Sequence, residues 1–351
     1  MLHPRVTGAF RALRSYGLLA ALIAMGLALA VTAPGFASVG NGADMLRDLA
    51  ILGIMAVGET LVIIGGGIDL SVGSILMLAG ILSDNLVRGL HFGPFVAVPL
   101  VLAACTLVGL INGLLVARAR IPAFIVTLAG LYAIRGVALA LYRHDVTSVA
   151  DALISDPTFL LLGQGDVLRV PISVLIFLLV LGAGHGLLRR TRFGLHLYAV
   201  GGNELATRLS GIDVERVRLA TFTMSGFCAG LSGVVLASRL QTGAPEAGLG
   251  AEFDVIGAVV IGGASLLGGR GTLVGTLVGA AFIIVLGKGQ SLLGVPANYQ
   301  SFARGAVILL AVVLDGLAQR RRLISRVITR GPRTGSAFPA ASYPGEARIR
   351  P

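Results

Sequence analysis

Three ionisable side chains stand inside apolar sequence, and they are the first candidates for chemistry. Asp69 follows three glycines in GETLVIIGGGIDLSVGSILMLAG, the stretch from Gly58 to Gly80; Glu59 precedes it and Arg135 lies further on. A charged group at the centre of a bilayer costs ~3 kcal/mol or more on insertion scales, so each must face protein or water. An intramembrane carboxylate is a functional-site candidate, and Asp69 with Ser71 also suits the start of a helix at Leu70 as a cap. Gly65, Gly66 and Gly67 break the helix before it. Non-helical backbone at that depth survives only where protein or a water-filled cavity satisfies it. Glu59 and Arg135 fit an ion pair, a hydrogen-bonded network or substrate contact equally well.

A second group lies in the loop from Arg192 to Ile212. Gly201 and Gly202 end one element, Asn203 caps a short helix, Glu204 sits at its positive end and Gly211 stops it. A short displayed helix is a handle for a partner. Arg239, Gln241, Glu246, Glu252 and Asp254 form a third group, expected at or near the outer mouth, either as a docking and receiving surface or as a solvated loop.

Other chemistries find little support. The only lysine, Lys288, lacks the distal glycine and following hydroxyl of a phosphate-binding loop, so ATP hydrolysis by that route is excluded. No Ser/His/Asp grouping or metal-ligand cluster appears, and Cys105 and Cys228 lie in apolar runs and read as packing residues.

The elements that position these groups are apolar helices. The chain is 55% hydrophobic and 13% charged, with a mean hydropathy of +0.89, too apolar for an ordinary water-facing surface. Its 50 glycines suit close packing of helices in lipid, with Gly226 and Gly230, and Gly271, Gly275 and Gly279, at contact spacing. Apolar runs predict an all-α polytopic membrane protein of about ten transmembrane helices, near 17–33, 46–64, 69–86, 95–117, 121–142, 171–188, 219–239, 255–267, 272–290 and 303–318. The first resembles a signal peptide, but Pro34 to Ala37 make a poor cleavage site and an uncleaved helix is expected. Residues 1–16 are then a cytoplasmic amino terminus, 17–318 the transmembrane domain with a loop at 189–218, and 319–351 a basic, disordered cytoplasmic tail.

Most of the 28 Lys+Arg residues fall in segments that are cytoplasmic when both termini are inside, and the positive-inside rule selects that orientation. Net charge +11 is therefore read as topology and lipid anchoring, with no nucleic-acid partner expected. Ile68-Asp69 and Phe253-Asp254, each before a small-residue helix, hint at an inverted repeat.

Several motifs in one order, GGGIDLSVGS, NGLLVARARIPAFIVTL, GGNELATRLSGI, FDVIGAVVIGGASLLGGRGTLVGTLVGA and NYQSF with GAVILLAVVLD, resemble the ribose/xylose-type sugar permeases of ATP-binding-cassette importers over roughly residues 40–317. The resemblance implies a fold similar to the cobalamin importer permease, a second permease copy as homodimer or heterodimer, a cytoplasmic ATPase and a periplasmic binding protein in the bacterial inner membrane. It implies no cofactor on this chain, with ATP and Mg on the partner. Asn203, Glu204, Ala206, Arg208, Ser210 and Gly211 would form the coupling helix, although Leu205 and Thr207 depart from the family's wording. Asp69, Ser71, Asn112 and Asp254 are candidates for the translocation path, with Thr127 and Asn298 as further groups that suit sugar hydroxyls or helix bridging. No metal ligands are expected. The rivals are a branched-chain amino acid permease of the same superfamily and a secondary transporter driven by ions at Asp69, Glu59 or Asp254.

Overall fold

Apolar runs in a low-dielectric medium must close their own backbone hydrogen bonds, and the helix does so locally. The computed structural model describes residues 4–142 and 153–329, and there the chain is all-α apart from one small hairpin. In order come α1 (Pro4–Thr32), α2 (Val39–Ile64), α3 (Val72–Asp84) continued by a π-helical turn Asn85–Gly89, α4 (Pro94–Ala117) and α5 (Ala123–Leu141). The short α6 (Pro157–Gln164) and the antiparallel pair β1 (Asp166–Val167) and β2 (Val170–Pro171) lead into α7 (Ile172–Arg190). Then follow α8 (Arg192–Gly202), α9 (Glu204–Leu209), α10 (Val214–Leu240), α11 (Ala251–Ile261), α12 (Leu273–Leu292) and α13 (Ala297–Thr329).

Every expected span falls on one of these helices, but they are not equivalent. Six are long and apolar enough to cross a bilayer: α3 with its π turn, α4, α5, α7, α10 and α12. α2 is long enough yet carries Asp44, Arg47, Asp48 and Glu59. The crossing helix expected over 255–267 is corrected to 251–261, whose 11 residues rise only about 16 Å against ~30 Å of hydrocarbon. The expected boundaries at 16 and 318 do not interrupt the backbone, since α1 begins at Pro4 and α13 continues to Thr329. Of the tail expected to be disordered over 319–351, residues 319–329 instead continue α13, and 330–351 lie outside the described residues, as does 143–152.

Core packing is set by α10, which lies against α2, α3, α4 and α6. Small residues permit it. A Cβ on Gly226 would sit 2.6 Å from the Cys105 carbonyl oxygen, and one on Gly109 would meet Phe222 O and the Gly226 Cα at 2.9 Å. The expected glycine series also makes contact: Gly275 and Gly279 of α12 lie directly on the Gly262 and Ala258 carbonyls of α11. Shape, rather than water exclusion, distinguishes these contacts in lipid.

α3 and α11 are partners of opposite sense. Asp69 meets Ser225, and Gly80 lies beside Ala237, so α3 runs with α10. α11 runs against α12, its carboxyl end reaching the level where α2 stops. The amino-terminal turns of α3 and α11 touch, with Gly73 pressed on the Gly248 carbonyl and on Glu252. This start point is about 16 Å by helix rise from the Ile64 level, roughly half the hydrocarbon depth. Two elements diverging from one point is the geometry an inverted repeat requires.

Replacing Gly226 with Val should therefore cost about 1–3 kcal/mol through overpacking, whereas Gly136→Ala, on a helix position with open space around it, should be neutral or slightly stabilising. The thermal midpoint in detergent, followed by a thiol-reactive dye at the buried Cys105 and Cys228, measures both. Equal midpoints for the two variants would refute the close-approach account.

Candidate functional site

The break after α2 is built from its backbone outward. Gly65 ends the helix, Gly66 adopts φ +82°, and Gly67 N–H returns to Val62 O at 3.0 Å. The Ile64 carbonyl accepts from Gly269 N–H at 2.8 Å, so the chain after α11 completes the end of α2. The same spot admits no side chain on Gly201, whose Cα lies against Ile64 O and Gly269 N.

Asp69 organises the rest. One carboxylate oxygen accepts from Ser71 N–H at 3.0 Å and from Ser71 Oγ at 2.6 Å, and the other accepts from Ser225 Oγ of α10 at 2.9 Å. Its own N–H donates to Glu59 Oε1 at 3.1 Å. Asn112 Nδ2 of α4 donates to Ser71 Oγ at 3.0 Å, and Thr127 Oγ1 of α5 donates to Ile68 O at 3.1 Å. Asp69, Ser71 and Thr127 have no exposed surface, and neither does Glu59. The expected cap at Leu70 is corrected: α3 starts at Val72, and Asp69 instead closes a turn onto Ser71. The carboxylate thus spans two positions, because its second oxygen is drawn to Ser225.

The structure joins Asp69, Ser71 and Asn112 but places Asp254 elsewhere, where it accepts from Arg304 of α13 at 3.1 Å. The expected outer-mouth group also divides. Arg239 pairs with Asp48 at 2.5 Å, whereas Glu252 is buried rather than solvated. Ser225 escaped sequence reasoning, because a serine among α10's small residues carries no local mark of a partner 156 positions away.

The second group forms an ion network. Asn203 Oδ1 accepts from Ala206 N–H at 3.0 Å and caps α9, Ser210 Oγ donates to Ala206 O, and Gly211 takes φ +80° to leave the helix. Glu204 accepts from Arg218 at 2.5 and 3.2 Å and from Arg208 at 3.1 Å, while Arg208 also reaches Glu215 at 2.5 Å. Partial burial pushes the Glu204 carboxyl up, but the hydrogen bonds from Arg218 and Arg208 outweigh it and hold it below the usual glutamate range. A depressed carboxylate stabilises above its unfolded value of ~4.3 and loses that contribution as pH falls through the folded value. The lock is therefore complete at neutral pH. Leu205 and Leu209, four apart, are instead 69% and 82% exposed.

A cleft of about 510 Å³ joins the two groups, lined by Gly65 to Ile68, Arg120 to Phe124, and Glu204, Arg208 and Arg218. Its volume is in the range of small-molecule pockets.

An all-α polytopic membrane protein with a buried polar break and a short, ion-locked helix beside a shared cleft belongs to the class of membrane permeases. The comparisons narrow this. Residues 41–312 match the family model described as the branched-chain amino acid transport system / permease component, and the chain belongs to that permease family. Curated relatives include the ribose import permease protein of Escherichia coli (strain K12), 40% identical over 301 residues covering 86% of this chain and 93% of that protein. The ribose import permease protein of Bacillus subtilis (strain 168) is 41% identical over 283 residues, covering 80% and 86%. The xylose transport system permease protein of Escherichia coli (strain K12) is 34% identical over 377 aligned positions, covering 90% and 96%. No solved structure matches significantly, so the implied likeness to the cobalamin importer permease has no structural match behind it.

Asp69→Ala would strand three donors, Ser71 N–H and the Ser71 and Ser225 hydroxyls, at about 1–3 kcal/mol per unsatisfied group. Ser225→Ala leaves one oxygen of the buried Asp69 carboxylate unmet and should cost about 2–3 kcal/mol, less than the three stranded donors together. Thermal midpoints in detergent should fall in that order, and an undisturbed Asp69→Ala protein would refute the organising role.

Proposed function

We propose that the chain is the membrane-spanning permease subunit of an ATP-binding-cassette importer that moves a monosaccharide or related small polyol delivered by a periplasmic binding protein. One observation supports coupling above others. Glu204 of α9 is tied to Arg218 of α10, and Asp69 of the break is tied to Ser225, seven residues or two turns along the same face of α10. A displacement of α9 therefore has a route, through two hydrogen bonds and two turns of α10, to the break before α3.

The division of labour within α9 also supports the reading. Asn203, Glu204, Arg208, Ser210 and Gly211 shape the short helix and fasten it, and the outward Leu205 and Leu209 are left for a cytoplasmic ATPase to grip. ATP and Mg belong to that partner, and the permease itself binds no cofactor. Both termini face the cytoplasm in this assignment, as the arginine distribution favours. A second permease copy, identical or homologous, completes the pore within the lipid bilayer of the bacterial inner membrane.

The sugar assignment rests on relatives named for ribose and xylose, although the family's description names branched-chain amino acids. An ion-driven mechanism at Asp69 fits less well, because both its carboxylate oxygens are taken by protein donors.

Co-purification of the tagged chain from membranes should recover an ATPase. Glu204→Arg should keep that ATPase but uncouple its hydrolysis from uptake, since it reverses the charge facing Arg208 and Arg218. Leu205→Asp with Leu209→Asp, or Gly211→Pro, should release it. Asp69→Asn should leave uptake independent of proton and sodium gradients. Uptake in vesicles that lack ATP, with no ATPase recovered, would refute the importer.

A further inference from the structure

Where the amino-terminal turns of α3 and α11 meet, hydrogen-bonding capacity is left unused. Glu252, in the first turn of α11, is only 4% exposed, yet its Oε2 has no partner. That carboxylate lies over Gly73 in the first turn of α3, so closely that a Cβ on Gly73 would collide with it. From α5, Arg135 stands one turn beyond Leu131, whose carbonyl accepts from Ser74 Oγ at 2.7 Å, which fixes α5 against the start of α3. The Arg135 Nε and Nη2 atoms are buried and likewise have no partner. Both groups belong to elements packed against the start of α3, and no ion pair joins them among the described residues.

Such an arrangement is costly to leave as it stands. A buried, unmet charged donor or acceptor costs more than the ~1–3 kcal/mol of a neutral one, and direct pairing would have removed that cost. The neighbouring pair shows the alternative, because Asp254 and Arg304 do meet, at 3.1 Å. Two helix amino termini point at the same place, and their positive ends support the carboxylate without neutralising it. By helix rise the position is about 16 Å from the Ile64 level, and midplane sites of this kind are reached from either side in turn.

We propose that Arg135 and Glu252 are the substrate-contact pair of the translocation path, each meeting one of two neighbouring hydroxyls of a polyol. This rests on the permease reading above. One hydroxyl accepts from the Arg135 guanidinium and its neighbour donates to Glu252 Oε2, so a vicinal diol satisfies both groups together. A solute lacking one of the two hydroxyls leaves a buried charged group unmet, and this discriminates more strongly than an apolar pocket can. Glycine at 73 and 248 is part of the device, since any side chain at Gly73 would displace the carboxylate.

The test uses the complete importer, reconstituted in liposomes with its cognate ATPase and binding protein, and ribose, xylose and 2-deoxyribose as probes. Arg135→Met and Glu252→Gln should each lower sugar taken up per ATP hydrolysed by about tenfold, the scale of one charge-assisted hydrogen bond. Both should also narrow the preference for ribose over 2-deoxyribose, and Arg135→Lys should recover part of the loss. An unchanged ratio of uptake to hydrolysis with unchanged deoxy-sugar discrimination would overturn the inference alone. Rescue of uptake by the exchanged pair Arg135→Glu with Glu252→Arg would make the two a structural latch and also overturn it. A wild-type complex that imports neither ribose nor xylose under ATP would overturn the permease reading and this inference with it.

Discussion

Interrupted backbone in hydrocarbon is the constraint on which this structure depends. Seven residues between α2 and α3 make no continuous helix, and each polar group they expose has to be met inside the protein because lipid offers nothing. The solution recruits distant elements. Gly269 answers the carbonyl at the end of α2, Thr127 answers Ile68, and Asp69 gathers two hydroxyls and an amide. The positions of α4, α5, α10 and the segment after α11 are thus tied to one break, which explains why small changes at any of them bear on the others.

Close approach is the second requirement and follows from the first. Asp69 reaches Ser225 only if α3 and α10 lie nearly in backbone contact, and Gly233 provides this by leaving space against the Leu76 carbonyl. The crossing of α4 over α10 repeats the device at Gly109 and Gly226, and α11 on α12 repeats it at Gly262, Gly275 and Gly279. Packing and polar satisfaction are one design here, since a bulky residue at a crossing would remove the hydrogen bonds beyond it as well as the contact.

Much of this was legible in the chain. Apolar run length located ten of the thirteen described α-helices but not the short α6, the triple glycine located the break, and Asn203 with Gly211 bounded α9 correctly because capping and positive φ are local chemistry. Other features were not legible, each for a physical reason. The start of α3 moved to Val72 because Ser225, far away in sequence, competes for Asp69. α11 stopped at Ile261 because Gly262 and Gly263 turn the chain back towards Ile64, a need set by tertiary structure. Glu252 read as part of an outer-mouth group, either a docking and receiving surface or a solvated loop, since local polarity around Pro245 to Gly250 gives no sign that Gly73 lies against it.

The roles proposed for Arg135 and Glu252 contrast with those of Asp69 and Glu204, whose carboxylate oxygens are met by protein donors, although Glu59 Oε2 is unmet as well. Asp69 has full use of its oxygens and Glu204 is locked between two arginines, so both are committed to holding and transmitting position. Glu252 is buried and Arg135 half-buried, and both hold capacity in reserve. A path that must release its solute as readily as it accepts it cannot afford a tight site. In the proposed importer, two charged groups with no ion pair between them would give a weak and transient contact of that kind, with recognition left to the binding protein.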